Sequence, residues 1–294
     1  MAKDNLIVTA DIQVTARELD FVTRFQNSWE HLRDILGIMR PIKKQAGAVL
    51  KSKYVEGTLE SGKVAEGEEI PYSNFKVKEK EYAEMTIEKF AKAVSIEAIK
   101  DHGYDNAVAM TDDQFLFELQ NDVTGRFYEY LNTGTLTDTQ ATFQKALAMA
   151  KGNVLNKFKQ MHKNVTGVVA FVNVLDVYEY LGDANITVQN QFGFQYIKDF
   201  LGYNTIFLVS DEEVARGKVI ATPLNNMVAC YVDPGDSEFV KAGLAYTVDS
   251  ATGFIGFHAQ GTYERAISDM FAIMGVRLFA EYLDAIAIIT VTGA

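Results

Sequence analysis

Four histidines, His31, His102, His162 and His258, are the residues of this sequence best suited to moving a proton near neutral pH or ligating a metal ion. They stand far apart in the chain, so there is no HExxH helix or other local metal pair, and each reads more readily as a structural or surface histidine. The adjacent acids Glu68-Glu69, Asp112-Asp113 and Glu212-Glu213 could divide the roles of general acid and base. Neighbouring carboxylates on polar segments ordinarily cap or solvate instead. Cys230 attacks only as a thiolate, and its apolar, strand-like surroundings favour a buried, inert thiol. Gly253-Phe254-Ile255-Gly256 lacks the third glycine of a dinucleotide fingerprint, Ser61-Gly62-Lys63 lacks the upstream glycine of a phosphate loop, and no serine stands in a GxSxG elbow. The sequence therefore offers no catalytic, metal or cofactor motif, and only residues converging in space could supply one.

What such residues would be mounted on is an acidic chain with ample core. Its 294 residues are 48% hydrophobic and 23% charged, enough for one or two packed domains without staples. A single cysteine rules out an intrachain disulfide and a cysteine-based zinc site, which suits a cytosolic setting. No signal pattern follows Met1, and no apolar run reaches the ~18 residues that span a bilayer, so no membrane partner is expected. A formal charge of -11 repels phosphate and argues against a sequence-reading nucleic-acid binder.

Thr15 and Glu18 form a capping box, and Val22, Phe25, Trp29, Leu32 and Leu36 recur at helical spacing before Gly37, which predicts an amphipathic helix over 15–36. From Ala48 the pattern changes to a two-armed ribbon, Val49 to Glu56 and Phe75 to Ile96, joined through Gly57, Gly62, Gly67 and Pro71. Lys51, Lys53, Lys76, Lys78 and Lys80 line its stem, while its tip carries Glu56, Glu60, Glu66, Glu68 and Glu69 against Lys63 alone. The face opposite the lysines has Val49, Phe75 and Val77. An isolated hairpin is marginal in water, so one this long needs another surface to order it, and a second subunit supplies one.

Beyond the ribbon, Thr111 with Gln114 predicts the cap of a long helix to Leu131, whose stripe is Phe115, Leu119, Val123, Phe127 and Leu131. A second helix is expected over Thr139 to His162. Mixed α/β texture follows Lys163, with strands at Val168 to Val174, Thr205 to Val209, Val219 to Ala221 and Met227 to Val232, and helices at Val174 to Leu181 and Gln191 to Leu201. Two strands, Phe271 to Tyr282 and Ala285 to Thr292, close the chain and are placed to complete a sheet begun earlier.

This order of parts resembles the Hong Kong 97 type of tailed-phage major capsid protein, and the likeness covers nearly the whole chain. Its most telling piece is the segment Val49 to Ile96 leading into Met110 to Gly134, with Phe271 to Thr292 returning much later. The resemblance implies an α+β fold: an N-terminal arm over 1–46, an E-loop and P-domain strand over 47–95, a P-domain with its spine helix over 96–164, an A-domain over 165–265, and closing P-domain strands over 266–294. In that family the E-loop lies over a neighbouring subunit. The likeness therefore assigns Lys51, Lys53, Glu66, Glu68, Glu69, Lys76, Lys78 and Lys80 to contacts between subunits, with A-domains meeting about the fivefold and sixfold axes.

The function so implied is that of a non-enzymatic shell protein without cofactors, assembling with copies of itself into hexamers and pentamers and enclosing double-stranded DNA nonspecifically. Its place would be the virion, after assembly in the host bacterial cytoplasm. The first elements begin within a few residues of Met1, so a separate scaffolding protein is expected, together with a portal. Some relatives crosslink an E-loop lysine to a P-domain asparagine. Lys63 could stand for the lysine, but no asparagine follows Asn226, and no crosslink is expected. Two alternatives share these residues: an encapsulin-type nanocompartment shell, and a soluble α/β enzyme whose hairpin is a dimerisation arm.

Overall fold

The computed structural model describes residues 37–183, 189–191, 194–197, 200–248 and 253–292. The helix expected over 15–36, with its Thr15 and Glu18 cap, lies outside the described residues, as does His31.

The centre of the fold is a mixed sheet of seven strands. In chain order they are β5 (Leu136–Gln140), β6 (Val168–Asn173), β7 (Gln189–Gln191), β8 (Phe194–Ile197), β9 (Thr205–Val209), β10 (Lys218–Pro223) and β16 (Ala287–Val291). Their spatial order is β5-β16-β10-β6-β9-β8-β7. Successive side chains of a strand point to opposite faces, and here both faces are buried, which is why β6, β9 and β10 read as nearly unbroken apolar runs. Val168, Ala170 and Val172 pack on one side with Ile206, Leu208, Val219 and Ala221, under helix α3 (Phe143–Gln160). Val169, Phe171, Phe207, Val209 and Ile220 pack on the other.

That second side is covered by the long helix α2 (Met110–Leu131), whose Leu116, Leu119, Val123, Phe127 and Leu131 are all buried. Aromatic rings lock the layers together. Phe171 stacks on Phe207 at 5.2 Å and meets Phe127 and Tyr128 edge-on at 5.6 and 5.7 Å. Helix α2 also packs on a four-stranded antiparallel sheet of β4 (Glu88–Ser95), β12 (Thr247–Val248), β13 (Ile255–Thr262) and β14 (Ile267–Met274), in the order β12-β13-β14-β4. A third sheet joins β1 (Met39–Lys44) parallel to β11 (Met227–Val232), which pairs antiparallel with β15 (Val276–Ala280). The fourth is the ribbon alone, β2 (Val49–Thr58) with β3 (Asn74–Glu84). The other described α-helices are the short α1 (Ile96–His102), α4 (Val174–Asp183) and α5 (Ser237–Lys241).

Several sequence expectations change. The second ribbon arm does not run through to Ile96: it ends at Glu84, and Glu88–Ser95 joins β14 in another sheet. Thr111 does not cap the long helix, because a π-helical turn, Asp105–Ala109, runs straight into it. The Thr111 hydroxyl instead lies 2.7 Å from the Ala107 carbonyl oxygen, bonding back into the preceding turn, while the buried Asp112 meets the Lys92 ammonium at 2.5 Å. The following helix starts at Phe143, capped by Thr142, because Leu136–Gln140 is drawn into the sheet by β16. Within Gln191 to Leu201, expected as a helix, Phe194–Ile197 is a strand instead, and its Tyr196 and Ile197 pair with Phe207 and Ile206. Phe271 to Tyr282 is broken at Gly275, where a Cβ would come within 3.0 Å of Val232, so the chain switches sheets there.

The departure of β4 from the ribbon is held by charge. Arg126 on α2 donates to both Glu88 carboxylate oxygens at 2.8 and 2.5 Å and reaches Asp122 at 2.7 Å. Donation from Arg126 holds the Glu88 carboxyl below its ordinary value, against the opposing effect of partial burial. A depressed carboxylate stabilises the fold above its unfolded pKa and loses that contribution as pH falls through the folded value. Glu88→Gln should therefore lower stability at pH 7 by about 1–3 kcal/mol. The gap between mutant and parent should close as pH falls below about 4.5, measured as urea midpoints across pH.

Candidate subunit interface

The ribbon is the one part of the described fold without a second layer. Its register pairs Lys51 with Glu81, Lys53 with Glu79, Val55 with Val77 and Gly57 with Phe75 on one face. The other face carries Ser52 opposite Lys80, Tyr54 opposite Lys78 and Glu56 opposite Lys76. Gly57 is required where it stands, since a Cβ there would lie 2.5 Å from the Asn74 carbonyl oxygen and 2.6 Å from the Phe75 ring.

Two of the stem lysines have partners within the ribbon. Lys51 binds Glu81 at 2.6 Å and Glu79 at 3.5 Å, and Lys78 binds Glu56 at 2.5 Å. Lys53 and Lys80 stand opposite Glu79 and Ser52 in the register. Glu79 and Glu81 thus pair with Lys51, and Glu56 with Lys78, within the ribbon itself, and such half-exposed pairs set register more than they stabilise. Glu66, Glu68 and Glu69 are exposed at the tip, where Glu68 accepts a hydrogen bond from the Ala65 amide at 3.2 Å.

The apolar residues are where the sequence reading fell short. Val55, Phe75 and Val77 share one face of the outer ribbon and are 62%, 56% and 65% exposed, and beyond them Leu59, Ile70 and Tyr72 are also exposed. Val55, Leu59, Ile70 and Tyr72 were not singled out; the cross-strand pairing of Val55 with Val77 was the available signal. Covering a Val, Leu or Phe side chain contributes about 1.5–3 kcal/mol, which outweighs the exposed ion pairs as a source of affinity.

At the root the ribbon is fixed to the third sheet. Leu50 and Met85 are buried with Val228, Cys230 and Val232, the Tyr82 and Phe279 rings lie 4.7 Å apart, and the Gly47 amide donates to the Met85 carbonyl at 2.9 Å. Burial pushes the Cys230 thiol up, more than the cations Lys44 and Arg40 pull it down, so its thiolate is disfavoured. His102 and His162 are exposed, and His258 sits edge-on to the Tyr246 ring at 6.4 Å. Glu213 accepts from the Ser210 amide at 2.8 Å, and Asp112 is held by Lys92. Among the described residues no group of three or more His, Cys, Asp or Glu side chains could hold a metal ion, and no helix is long and apolar enough to cross a membrane.

No family model matches this sequence, and no curated protein matches it. Solved structures do. A structure from Gordonia phage Cozz is 9% identical with a TM-score of 0.60, and the asymmetric unit of the bacteriophage PhiM1 mature capsid is 9% identical with a TM-score of 0.56. An encapsulin complex from Synechococcus elongatus is 12% identical with a TM-score of 0.51. Each alignment covers 88% of this chain and 86% of the other. At these identities the likeness is one of fold, and the α+β fold of the Hong Kong 97 type expected from the sequence is the fold found.

The ribbon's independence from the core is measurable. Phe75→Ala should leave the urea stability of the isolated subunit within about 0.5 kcal/mol of the parent. Phe171→Ala, in the aromatic stack, should cost about 3–5 kcal/mol. Equal costs would show that the ribbon packs on its own chain.

Proposed function

We propose that this chain is a major capsid protein, the self-assembling subunit of a tailed-phage head that encloses double-stranded DNA. The observation that carries this reading is the ribbon: a rooted pair of strands with an apolar outer face and no covering layer among the described residues, on a fold otherwise buried on both sides of its central sheet. Identical subunits presenting identical patches close into symmetric assemblies, and many weak contacts per subunit hold such a shell together. The net charge of -11 fits a container that touches nucleic acid sparsely and without reading sequence. The ribbon residues Lys51, Lys53, Lys76, Lys78 and Lys80 and the tip acids Glu66, Glu68 and Glu69 are proposed to act between subunits, in register and partner choice. A scaffolding protein and a portal would complete the particle, assembled in the bacterial cytoplasm.

The subunit is read as a structural protein rather than an enzyme, a reading supported by the burial of Cys230, the pairing of Asp112 with Lys92 and the bond from the Ser210 amide to Glu213. An encapsulin-type shell is the second reading, supported by the TM-score of 0.51 to the encapsulin complex. The two phage structures score higher, at 0.56 and 0.60, which puts the phage reading first.

Size-exclusion chromatography and negative-stain electron microscopy of the expressed protein, with and without a candidate scaffold, should reveal closed shells, tubes or capsomer rings. A stable monomer or dimer under both conditions would overturn the reading. Replacing residues 59–73 by a two-residue Asn-Gly turn should leave subunit stability within about 0.5 kcal/mol while abolishing closed particles. Normal shells from that variant would remove the ribbon's outer end from assembly.

A further inference from the structure

From Thr139 to Leu175 the chain carries no Asp or Glu, yet it carries Lys145, Lys151, Lys157, Lys159 and Lys163 together with His162. In a chain with 39 acids among 294 residues, so long a run without one is a local reversal of sign. The acids that bound the run are both engaged. Asp138 accepts from the Thr139 amide, Gln140 and Asn153 at 2.8, 3.1 and 3.4 Å, and Asp176 accepts from the Gly217 amide at 2.6 Å and from Arg216 at 3.2 Å. Most of the run is α3, which covers one side of the central sheet. Three of its cations are occupied. Lys151 donates to the Leu201 and Gly202 carbonyls, Lys157 pairs with Asp284 at 2.6 Å, and Lys163 donates to the Tyr282 hydroxyl. Lys145 and Lys159 are exposed and form no ion pair with a described residue.

These two lysines stand nearly four whole helical turns apart, so they share one line along α3, about 21 Å long at 1.5 Å per residue. Between them the exposed side chains are small or polar: Ala148, Gly152 and Asn156, with Met149 the one large apolar group that α3 exposes. Gly152 weakens a helix interior, and a Cβ there would meet nothing within 4 Å, so packing does not require it. A protein partner is held through buried aromatic and apolar anchors, which this face lacks. A phosphate backbone is held by spaced cations and needs no such anchor. The other side of the subunit has the opposite sign, for the exposed face of α2 carries Asp113, Glu118 and Glu129.

We propose that the exposed face of α3, through Lys145 and Lys159 with Lys163 beside them, meets the phosphate backbone of the enclosed double-stranded DNA. The inference rests on the shell reading above and names the side of the subunit that faces the lumen. Helices α3 and α2 lie on opposite sides of one sheet, so the acidic face of α2 is turned away from the DNA. Phosphate contacts carry no sequence information, and the few that one subunit makes are weak alone. Repeated over a shell they hold the outermost turns of DNA in place, while the acidic remainder of the chain keeps the contact sparse. Because the cations are exposed, the contact weakens as salt rises.

The test uses particles purified with their DNA and the same particles after its release, both treated with an acetylating reagent and read by mass spectrometry. Lys145 and Lys159 should be acetylated severalfold more after release, with Lys241 of α5 changing less. Equal labelling in the two states overturns the contact and leaves the shell reading standing. Labelling in neither state does the same, since it would bury this face between subunits. Shells that hold no DNA, or no shells at all, remove both. As a second arm, a fluorescent duplex of mixed sequence is titrated with unassembled subunits across a range of salt. Lys145→Gln with Lys159→Gln should raise Kd about tenfold at low salt and lower the slope of log Kd against log salt by about 2, since each phosphate contact contributes about 0.9. Lys89→Gln with Lys241→Gln removes the same charge elsewhere and should change both quantities less. Equal losses from the two pairs would show that net charge alone attracts the DNA, and would overturn the assignment to α3.

Discussion

A strand turns alternate side chains to opposite sides, so a strand that is apolar at every position needs a packed layer on each side. That constraint governs the central sheet. Strands β6, β9 and β10 commit residues to two cores at once, and α3 and α2 are held where they are because each must cover one of them. Phe171, with Phe207 stacked beside it and Phe127 and Tyr128 edge-on, is where the α2 side of this sandwich closes. Helix α2 in turn fixes the four-stranded sheet, and through Arg126 and Glu88 it fixes the point where the chain leaves the ribbon. The ribbon's direction is thus inherited from the core.

The ribbon obeys the same constraint from the other side. Its outer face is apolar enough to want cover, and no other described residue supplies it. Among the described residues its two strands satisfy their backbone groups only against each other, leaving both edges and both faces to be managed by charge or by a partner. Cross-strand Lys–Glu pairing keeps the stem in register and discourages slippage, while Val55, Phe75 and Val77 hold the surface that a second subunit can bury. A fold whose core is complete and whose longest hairpin is not is suited to being one piece of a larger object.

Much of this was legible from residue patterns. The ribbon, the long helix with its stripe at Leu119, Val123, Phe127 and Leu131, and the buried thiol of Cys230 all follow from local periodicity, and the structure has them. The unbroken runs at 168–174 and 205–209 announced strands covered on both faces. What escaped depended on partners distant in sequence. Nothing local tells Glu88 to leave β3 for β14, or Gly275 to divide one apolar run between two sheets. The π-helical turn before Met110 hid the true start of α2, since Thr111 looks like a cap until its hydroxyl is found bonding backwards. In the ribbon, the pairing of Lys51 with Glu81 and of Lys78 with Glu56 depends on the cross-strand register, which the spacing of residues along one arm does not give.

The pairing of β5 with β16, and of β1 with β11 and then β15, also sets an order in time. On the ribosome, residues 49–84 emerge early and can zip into a hairpin from local contacts alone. Phe279, whose ring meets Tyr82 at the ribbon's root, is made long afterwards, and β5 has no place in the sheet until residues 287–291 arrive. A nascent chain can therefore zip its ribbon well before the sheet that roots it is complete. A chain cut short before residue 276 would carry a paired ribbon on an unfinished anchor.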